Sequence, residues 1–542
     1  MVREGFRDLF GRPEADAYRA AGWWGDRTFA DHLADHARAT PDRPAYLIDD
    51  HRLTWSGLQH EADAHAAALA GAGGEVGDRV AVWLPDGPTV HAVLLGAEKA
   101  GLTVVGIGAR AGDQEAGTIL AKTGATLLVT HPRHRGRSMA EAYARLRPGT
   151  ALRRHVIVPR HDERRAPAPA PPPPPGRRLG PDDLFLVNST SGTTGLPKCV
   201  RHTQNRWVYF HHKAVEHARL TADDVILGAV PMPFGFGLWT THSTPILLGT
   251  TTVLVERFVA DEVLELIERH RVTVIACVST QFVMLLNSPR LHGADLSSLR
   301  VMFTGGEAVP YDRARQFEQV TGATVLQFYG SNETGLLSGT RLSDPPEVRL
   351  RTAGAVVPEM QVRLFDGDRD VTASGHGQPG CRGPALSAGY LDDDEANRRL
   401  YTSDGWMLMG DLCTIDDRGV LSVVGRTTDI IIRGGKNISA SQIEDEVSTH
   451  PAVALAAAVP MADPVFGERV CLFAELHPGA VLTLEDLIAH LLARGVGKEL
   501  LPERLVVLDE LPRASGGKVA KGELRSRAAP AVSTLDSLPP GQ

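Results

Sequence analysis

The sequence predicts an α/β protein: a large N-terminal domain of several subdomains with mostly parallel, helix-covered sheets, followed by a small α+β domain. Three observations point there. Short apolar runs alternate with helix-patterned stretches from residue 29 to about 158 and again from 184 to 328, the pattern of repeated strand–helix–strand units. A Pro/Ala tract at residues 166–175 interrupts the alternation, and its character changes beyond Gly419. The 542 residues leave room for about two to four domains at ~150 residues each.

Taken in order, residues 80–84 and 126–130 are strands of the leading half. The prolines of 166–175 remove N–H groups and fix φ, which favours an extended connector or surface loop over a core element. Apolar runs at 184–187, 225–230, 252–255, 272–278, 299–303 and 325–328 predict successive strands. Residues 260–271, with Val263, Leu264 and Ile267 at helical spacing, predict one of the helices between them. Residues 419–433 read as the two strands of a hairpin, and Ser439 opens a helix through a Ser-x-x-Gln pattern ending at Gln442. Strands and one helix follow to about 508, and residues 528–542, rich in Pro and Ser, are expected to be a disordered tail.

Composition excludes several functions. Lys and Arg number 57 against 65 Asp and Glu, a net charge of −8, whereas phosphate backbones are held by surplus positive charge; nucleic acid is not an expected partner. No run approaches the roughly 18 apolar residues of a membrane span, and the most apolar window is broken by Pro231, Pro233, Gly235 and Gly237. The leading residues MVREGFRDLFGR lack the apolar stretch of a secretory signal, and the five cysteines show neither metal-binding nor disulfide spacing. A cytoplasmic protein is expected.

The most informative segment is Asn188 to Lys198, NSTSGTTGLPK, directly after an apolar run. Hydroxyls and glycines cannot pack a core. They do offer N–H and O–H groups to an anion, with Gly192 and Gly195 permitting close backbone approach and Lys198 adding charge. It is not a Walker A loop, since Cys199 follows Lys198. Gly106-x-Gly108-x-x-Ala111 superficially fits a dinucleotide fingerprint, but the next strand ends in His131-Pro132 without an acidic residue, so it reads as a chance glycine turn. In FYGSNETG, Tyr329 suits a base and Glu333 suits magnesium, which prefers carboxylate oxygen. Asp411 is a good acceptor for ribose hydroxyls, Arg426 a donor to the same sugar, and Lys518 follows two glycines in PRASGGKVAK.

In order and spacing these segments resemble the adenylate-forming superfamily of acyl-CoA synthetases, aryl-acid adenylating enzymes, adenylation domains and luciferases. STSGTTGLPK matches its phosphate loop, Gly305-Gly306-Glu307 and Tyr329-Gly330-Ser331-Asn332-Glu333 its adenine and magnesium segments, and GDL at Gly410, GRTTDIIIRGGKNIS at Gly425 and SGGKV around Lys518 complete the set. The resemblance implies ATP, Mg2+ and CoA as co-substrates and cofactor. Thr190, Ser191, Thr193, Thr194 and Lys198 would hold the leaving phosphates, Glu333 the magnesium, and Asp411 with Arg426 the ribose, while Lys518 would bridge the carboxylate and the α-phosphate. It also implies a division into residues 1–427 and a mobile domain 428–527 that swings about Thr428, exchanging Lys518 for a pantetheine tunnel around Gly435.

Departures from the family pattern bear on the substrate. Phe234 stands where many acyl-CoA ligases have histidine, and Gly235 cannot bind the α-amino group of an amino acid. Asn332 replaces a threonine, Cys199 a glycine, Met409 a threonine, and threonine at 428 the usual Asp or Lys. Phe234, Phe236, Trp239 and Thr304 would border an apolar, aromatic-lined acyl pocket. An aryl, alicyclic or medium-chain acid is therefore expected, passed to CoA. The alternatives are transfer to the phosphopantetheine of a separate carrier protein, activation of another oxyanion such as nitrite for arylamine diazotisation, and a non-catalytic nucleotide-binding scaffold. Retention of Lys198, Glu333, Asp411, Arg426 and Lys518 argues against the last.

Overall fold

The apolar runs of the sequence become strands. In the computed structural model, which describes residues 12–163, 176–190, 198–306, 309–426, 430–433, 436–463, 465–513 and 519–528, the largest sheet orders Ala355–Val356, Gly335–Gly339, Thr324–Ser331, Val301–Gly305, Val274–Ala276, Val225–Gly228, Thr251–Leu254, Pro44–Ile48 and His51–Thr54. From Thr324–Ser331 through Pro44–Ile48 all neighbours are parallel, and near-continuous Val, Ile and Leu make them fit for burial on both faces.

A second sheet orders Lys198–Thr203, Leu184–Thr190, Thr103–Gly106, Arg79–Trp83, Leu127–Thr130 and Arg154–Ile157. Its pairs are parallel except the first. The strands on either side of the Pro/Ala tract, Arg154–Ile157 and Leu184–Thr190, thus share one sheet; the tract itself lies outside the described residues. Helix Pro88–Ala100 is buried along its whole length. Gly96 lets it do so, because a Cβ there would sit 2.7 Å from His65 Cβ and 2.9 Å from the Ala62 carbonyl of helix Trp55–Gly71. Helix Ala260–His270 buries Val263, Leu264 and Ile267 as the spacing predicts, and Arg271 ends it at φ 50°.

A third, antiparallel sheet orders Arg369–Asp370, Gln361–Asp366, His376–Arg382, Asp411–Ile415 and Leu421–Arg426. By contacts the described residues divide into two compact units, the first running to Met409 with Cys413–Val423, the second comprising Gly410–Leu412 and the residues from Val424 onward, save a short stretch after Ala514. The second unit has its own sheet, Lys436–Ser439, Ile430–Arg433, Gly467–Leu476 and Val453–Asp463, with Arg504–Val507 added in parallel. Helices Ala440–Val447 and Leu484–Ala493 close its core on Ile431, Ile443, Val447, Leu472 and Leu487.

Four expectations change. The residues 419–433 are not a hairpin: Leu421–Arg426 belongs to the third sheet, whereas Ile430–Arg433 pairs with the strand after it, Ile431 opposite Ile438. Local alternation marks a strand but not its neighbours, and Ile430–Arg433 takes Lys436–Ser439 on one side and Gly467–Leu476 on the other. Ser439 does precede a helix, but its hydroxyl meets Ser441 Oγ at 2.8 Å rather than capping an N–H. Gly106 is no chance turn residue, since a Cβ there would lie 2.4 Å from the Pro233 ring. Ala528, assigned to the tail, is fully buried at the end of helix Lys521–Ala528; residues 529–542 lie outside the described residues. All five cysteines are buried, and among the described residues no helix is long and apolar enough to cross a membrane.

The core of the first unit holds a pair of imidazoles. His91 Nδ1 and His242 Nδ1 stand 3.2 Å apart, with Tyr46 stacked on His91 at 4.5 Å and Phe29 edge-on to His242. One nitrogen donates and the other accepts, so the accepting ring must be neutral. Burial holds His242 down to about 3 and His91 well below the ordinary imidazole range. Unfolded imidazoles titrate near ~6.5, so the unfolded chain gains protons that the folded one refuses, and stability falls as pH drops below that value, by up to ~1.4 kcal/mol per pH unit for each ring. Urea unfolding midpoints at pH 7 and pH 5 should therefore differ more for the native chain than for a His91→Asn/His242→Asn double variant.

Candidate active site

Segments of the first unit meet around the turn between strands Thr324–Ser331 and Gly335–Gly339. Strand Leu184–Thr190 ends opposite the start of Lys198–Thr203, with Thr190 in register with Lys198, so the hydroxyl- and glycine-rich segment is the connection of an antiparallel pair. Ser191, Gly192, Thr193, Thr194 and Gly195 lie outside the described residues, as does the side chain of Thr190. Lys198 is described, half-buried, at the base of that connection.

The turn itself follows strand Thr324–Ser331. Gly330 is needed there because a Cβ would fall 1.7 Å from the Gly335 carbonyl on the returning strand. Ser331 Oγ accepts the N–H groups of Glu333 (3.2 Å) and Thr334 (3.1 Å), which fixes the turn. Ser387 N–H donates to the Glu333 carbonyl, and Tyr390 O–H donates to Glu333 Oε1, both at 2.6 Å. Tyr329 places its hydroxyl 3.4 Å from Cys413 Sγ.

A buried polar network adjoins this turn. Asn188, 1% exposed, donates through Nδ2 to the Pro233 carbonyl at 3.0 Å and lies 3.5 Å from Asn332 Oδ1. Its own Oδ1 accepts from His202 Nε2 at 2.7 Å, and His202 Nδ1 accepts from Arg206 at 2.5 Å. Arg206 also donates to the carbonyls of Asn332 (2.7 Å) and Ala385 (2.9 Å). With both ring nitrogens engaged, His202 is held as one neutral tautomer; burial first, then the Arg206 charge, pushes it well below the usual range. Burial lowers Arg206 to about 9, while the charge of Glu333 acts in the opposite direction.

The apolar side adjoins this network at Asn332. Phe234 and Phe236 are half-buried at the start of helix Gly235–Leu238. A Cβ at Gly235 would sit 2.5 Å from Asn332 Oδ1 and 3.3 Å from the Trp207 ring. Phe236 stacks on Trp239, which is itself 1% exposed and surrounded by Phe210, Phe303 and Phe328. Trp239 is thus packed as core, behind Phe236. Thr304 is buried and its hydroxyl has no hydrogen-bond partner among the described residues, an orphan that a bound ligand would satisfy. Gly305 closes its strand with no room for a Cβ, the Phe328 carbonyl being 2.3 Å away, and Gly306 follows at φ +79°.

Lys198, Asn332, Glu333, Gly235, Phe236 and Trp239 are therefore brought into one neighbourhood of the first unit. Asp411 is buried at the start of its strand in the second unit. Glu307, Thr428, Gly435, Lys518 and the side chain of Arg426 lie outside the described residues. Sequence reasoning gave no role to His202, Arg206 or Tyr390, and named Asn188 only as the first residue of the phosphate-loop segment; the only signal was the His202 and Arg206 pair, four residues apart where helix Gln204–Ala218 begins.

The sequence matches the family model described as AMP-binding enzyme over residues 33–391 and that of the AMP-binding enzyme C-terminal domain over 442–518. A medium-chain fatty-acid–CoA ligase of Escherichia coli is 31% identical, over 95% of this chain and 93% of its own. A salicyl-AMP ligase / salicyl-S-ArCP synthetase of Mycobacterium tuberculosis is 34% identical, over 94% and 93%. The solved structure of an anthranilate CoA ligase in complex with anthranoyl-AMP superposes with a TM-score of 0.82 over 94% of this chain and 98% of that one, at 22% identity, a likeness of fold.

Arg206→Met would strip donors from two carbonyls and from His202. Buried groups left unsatisfied cost ~1–3 kcal/mol each, so its urea midpoint should fall well below that of the native chain. Arg206→Lys, which restores a charge and a donor, should recover part of the loss.

Proposed function

The chain belongs to the family of AMP-binding enzymes, which activate acids as adenylates with ATP, and on that premise we propose that it joins an aryl, alicyclic or medium-chain carboxylic acid to CoA. Asn332 carries the reading: it stands where the aromatic Phe234–Phe236 segment meets the turn of Glu333 and the network behind the phosphate-loop strands, so an acid lying along the aromatics would present its carboxylate beside the phosphates.

In the first step a carboxylate oxygen attacks the α-phosphorus and pyrophosphate leaves. Lys198 with Thr190, Ser191, Thr193 and Thr194 holds the leaving phosphates, Asn332 donates to the α-phosphate, and Lys518 bridges the two anions as they close. Tyr329 and the Gly305–Glu307 segment take the adenine, Asp411 and Arg426 the ribose. The donor set suits magnesium, which is commonly held by one or two carboxylates with substrate phosphates supplying the rest: Glu333, oriented by Tyr390, would hold the ion. When bound, magnesium neutralises charge on the phosphates. In the second step the small domain turns about Thr428, pantetheine enters past Gly435, and the thiol sulfur displaces AMP from the acyl carbonyl. Gly235 supports the exclusion of α-amino acids, since a recognising carboxylate there would need the space that Asn332 fills.

A second reading, delivery to a carrier protein, is favoured by the likeness to the mycobacterial salicyl-AMP ligase / salicyl-S-ArCP synthetase. Pyrophosphate release from ATP and magnesium, measured over aryl, alicyclic and fatty acids with and without CoA and with products identified by mass, separates the two. An acyl-CoA product is expected; turnover without one would favour the carrier. Lys518→Ala should slow adenylation by ~10²–10³-fold, the usual cost of one lost stabiliser, yet leave thioester formation from supplied acyl-adenylate largely intact. Equal loss of both steps would remove Lys518 from the first.

A further inference from the structure

Tyr390 lies at the end of a segment to which none of the sequence motifs gave a role, yet it touches two of the charged groups the reaction would need. The Lys198 ammonium lies over its ring, 5.0 Å from the centroid, and its hydroxyl donates to Glu333 Oε1 at 2.6 Å. The ring is 5% exposed. Burial and the Glu333 charge push the phenol far above its ordinary range, so it stays a donor.

The backbone around it is fastened to both sides. Tyr390 forms a bridge with Val200, Leu391 N–H donates to the Cys199 carbonyl at 2.8 Å, Arg201 N–H to Gly389 at 2.9 Å and Ala388 N–H to Arg201 at 3.1 Å, so residues 388–391 ride on the strand that Lys198 opens. Three residues before Tyr390, Ser387 holds the Glu333 carbonyl. Asn397 clamps Tyr390 itself, its Oδ1 accepting from the Tyr390 N–H and its Nδ2 donating to the Tyr390 carbonyl, each at 2.8 Å. Gly389 permits this at φ +73°, where a Cβ would lie 2.8 Å from Asn397 Oδ1. A side chain that only filled core would need neither the hydroxyl contact nor this anchoring.

We infer that Tyr390 is a positioning residue that keeps the Lys198 ammonium and the Glu333 carboxylate apart and aimed, so that each meets the phosphates and magnesium of ATP rather than the other. The inference rests on the reading of ATP-dependent acid activation given above. Opposite charges in a half-buried site attract strongly, and a direct ion pair would cancel the cation wanted on phosphate and the carboxylate wanted on metal. The interposed ring gives each a partner that can be shared with ligand. Its face offers a cation–π contact, and its edge one charge-assisted hydrogen bond. Among the described residues no ion pair joins Lys198 to Glu333.

Tyr390→Phe keeps the ring and its volume but releases Glu333; Tyr390→Leu releases both. The test is equilibrium binding of a non-hydrolysable ATP analogue by calorimetry across a magnesium titration, with thermal midpoints alongside. Loss of one hydrogen bond to a charged group should raise the magnesium concentration for half-saturation about tenfold in the Phe variant, with magnesium-free nucleotide binding changed less than about twofold. The Leu variant should show the same magnesium shift and also weaken magnesium-free binding by about fivefold or more, the scale of a desolvated cation–π contact. A Phe variant with native magnesium dependence, or a Leu variant no worse than Phe, would overturn the assignment. Should the native chain bind no nucleotide at any magnesium concentration, the reading of the function would fall, and the inference with it.

Discussion

A single buried guanidinium holds the polar side of the first unit together. Arg206 is 2% exposed and among the described residues pairs with no carboxylate, yet it donates to the carbonyls of Asn332 and Ala385 and to His202. Those acceptors belong to a turn between two strands of the large sheet, to the segment leading to Tyr390, and to a strand of the second sheet. An uncompensated buried charge is costly, so such an arrangement persists only where several fixed dipoles share it. The Glu333 charge is the opposing one. The carboxylate proposed for the metal is thus also part of what makes the buried cation tolerable.

The same geometry explains how the apolar and polar halves stay distinct. Trp239 is enclosed by Phe210, Phe236, Phe303 and Phe328, rings from two helical segments and two strands, giving a rigid wall at low entropic cost. Where that wall ends, Gly235 brings the backbone against Asn332. Aromatic surface passes into amide and carboxylate within a few residues, which is what a molecule with an apolar body and an anionic end requires.

Much of this was legible in the sequence. The runs at 184–187, 225–230, 252–255 and 299–303 all lie within or over strands, because parallel strands buried on both faces need unbroken β-branched and aliphatic stretches. Glu333 stood out as an acid at the end of a strand, and gained weight from the order and spacing of the neighbouring motifs. Arg206 and Tyr390 were not, for a physical reason: their meaning lies in partners 126 and 57 residues away, and a buried Arg or Tyr in one dimension looks like any other. The supposed hairpin failed for a related reason. Local alternation identifies strands but not their neighbours, and Ile430–Arg433 pairs forward, with Lys436–Ser439.

The sharing of one sheet by Arg154–Ile157 and Leu184–Thr190 has a consequence for the integrity of the chain. Leu184 and Val187 pack with Ala81, Trp83, Val105 and Leu128, all of which precede the Pro/Ala tract, and Thr103–Gly106 hydrogen-bonds along Leu184–Thr190. A peptide bond broken anywhere between residues 163 and 176 would therefore not part the protein. The two fragments would remain joined by a hydrogen-bonded ladder and a common core, and separately produced halves divided at that point have the interface needed to reassemble.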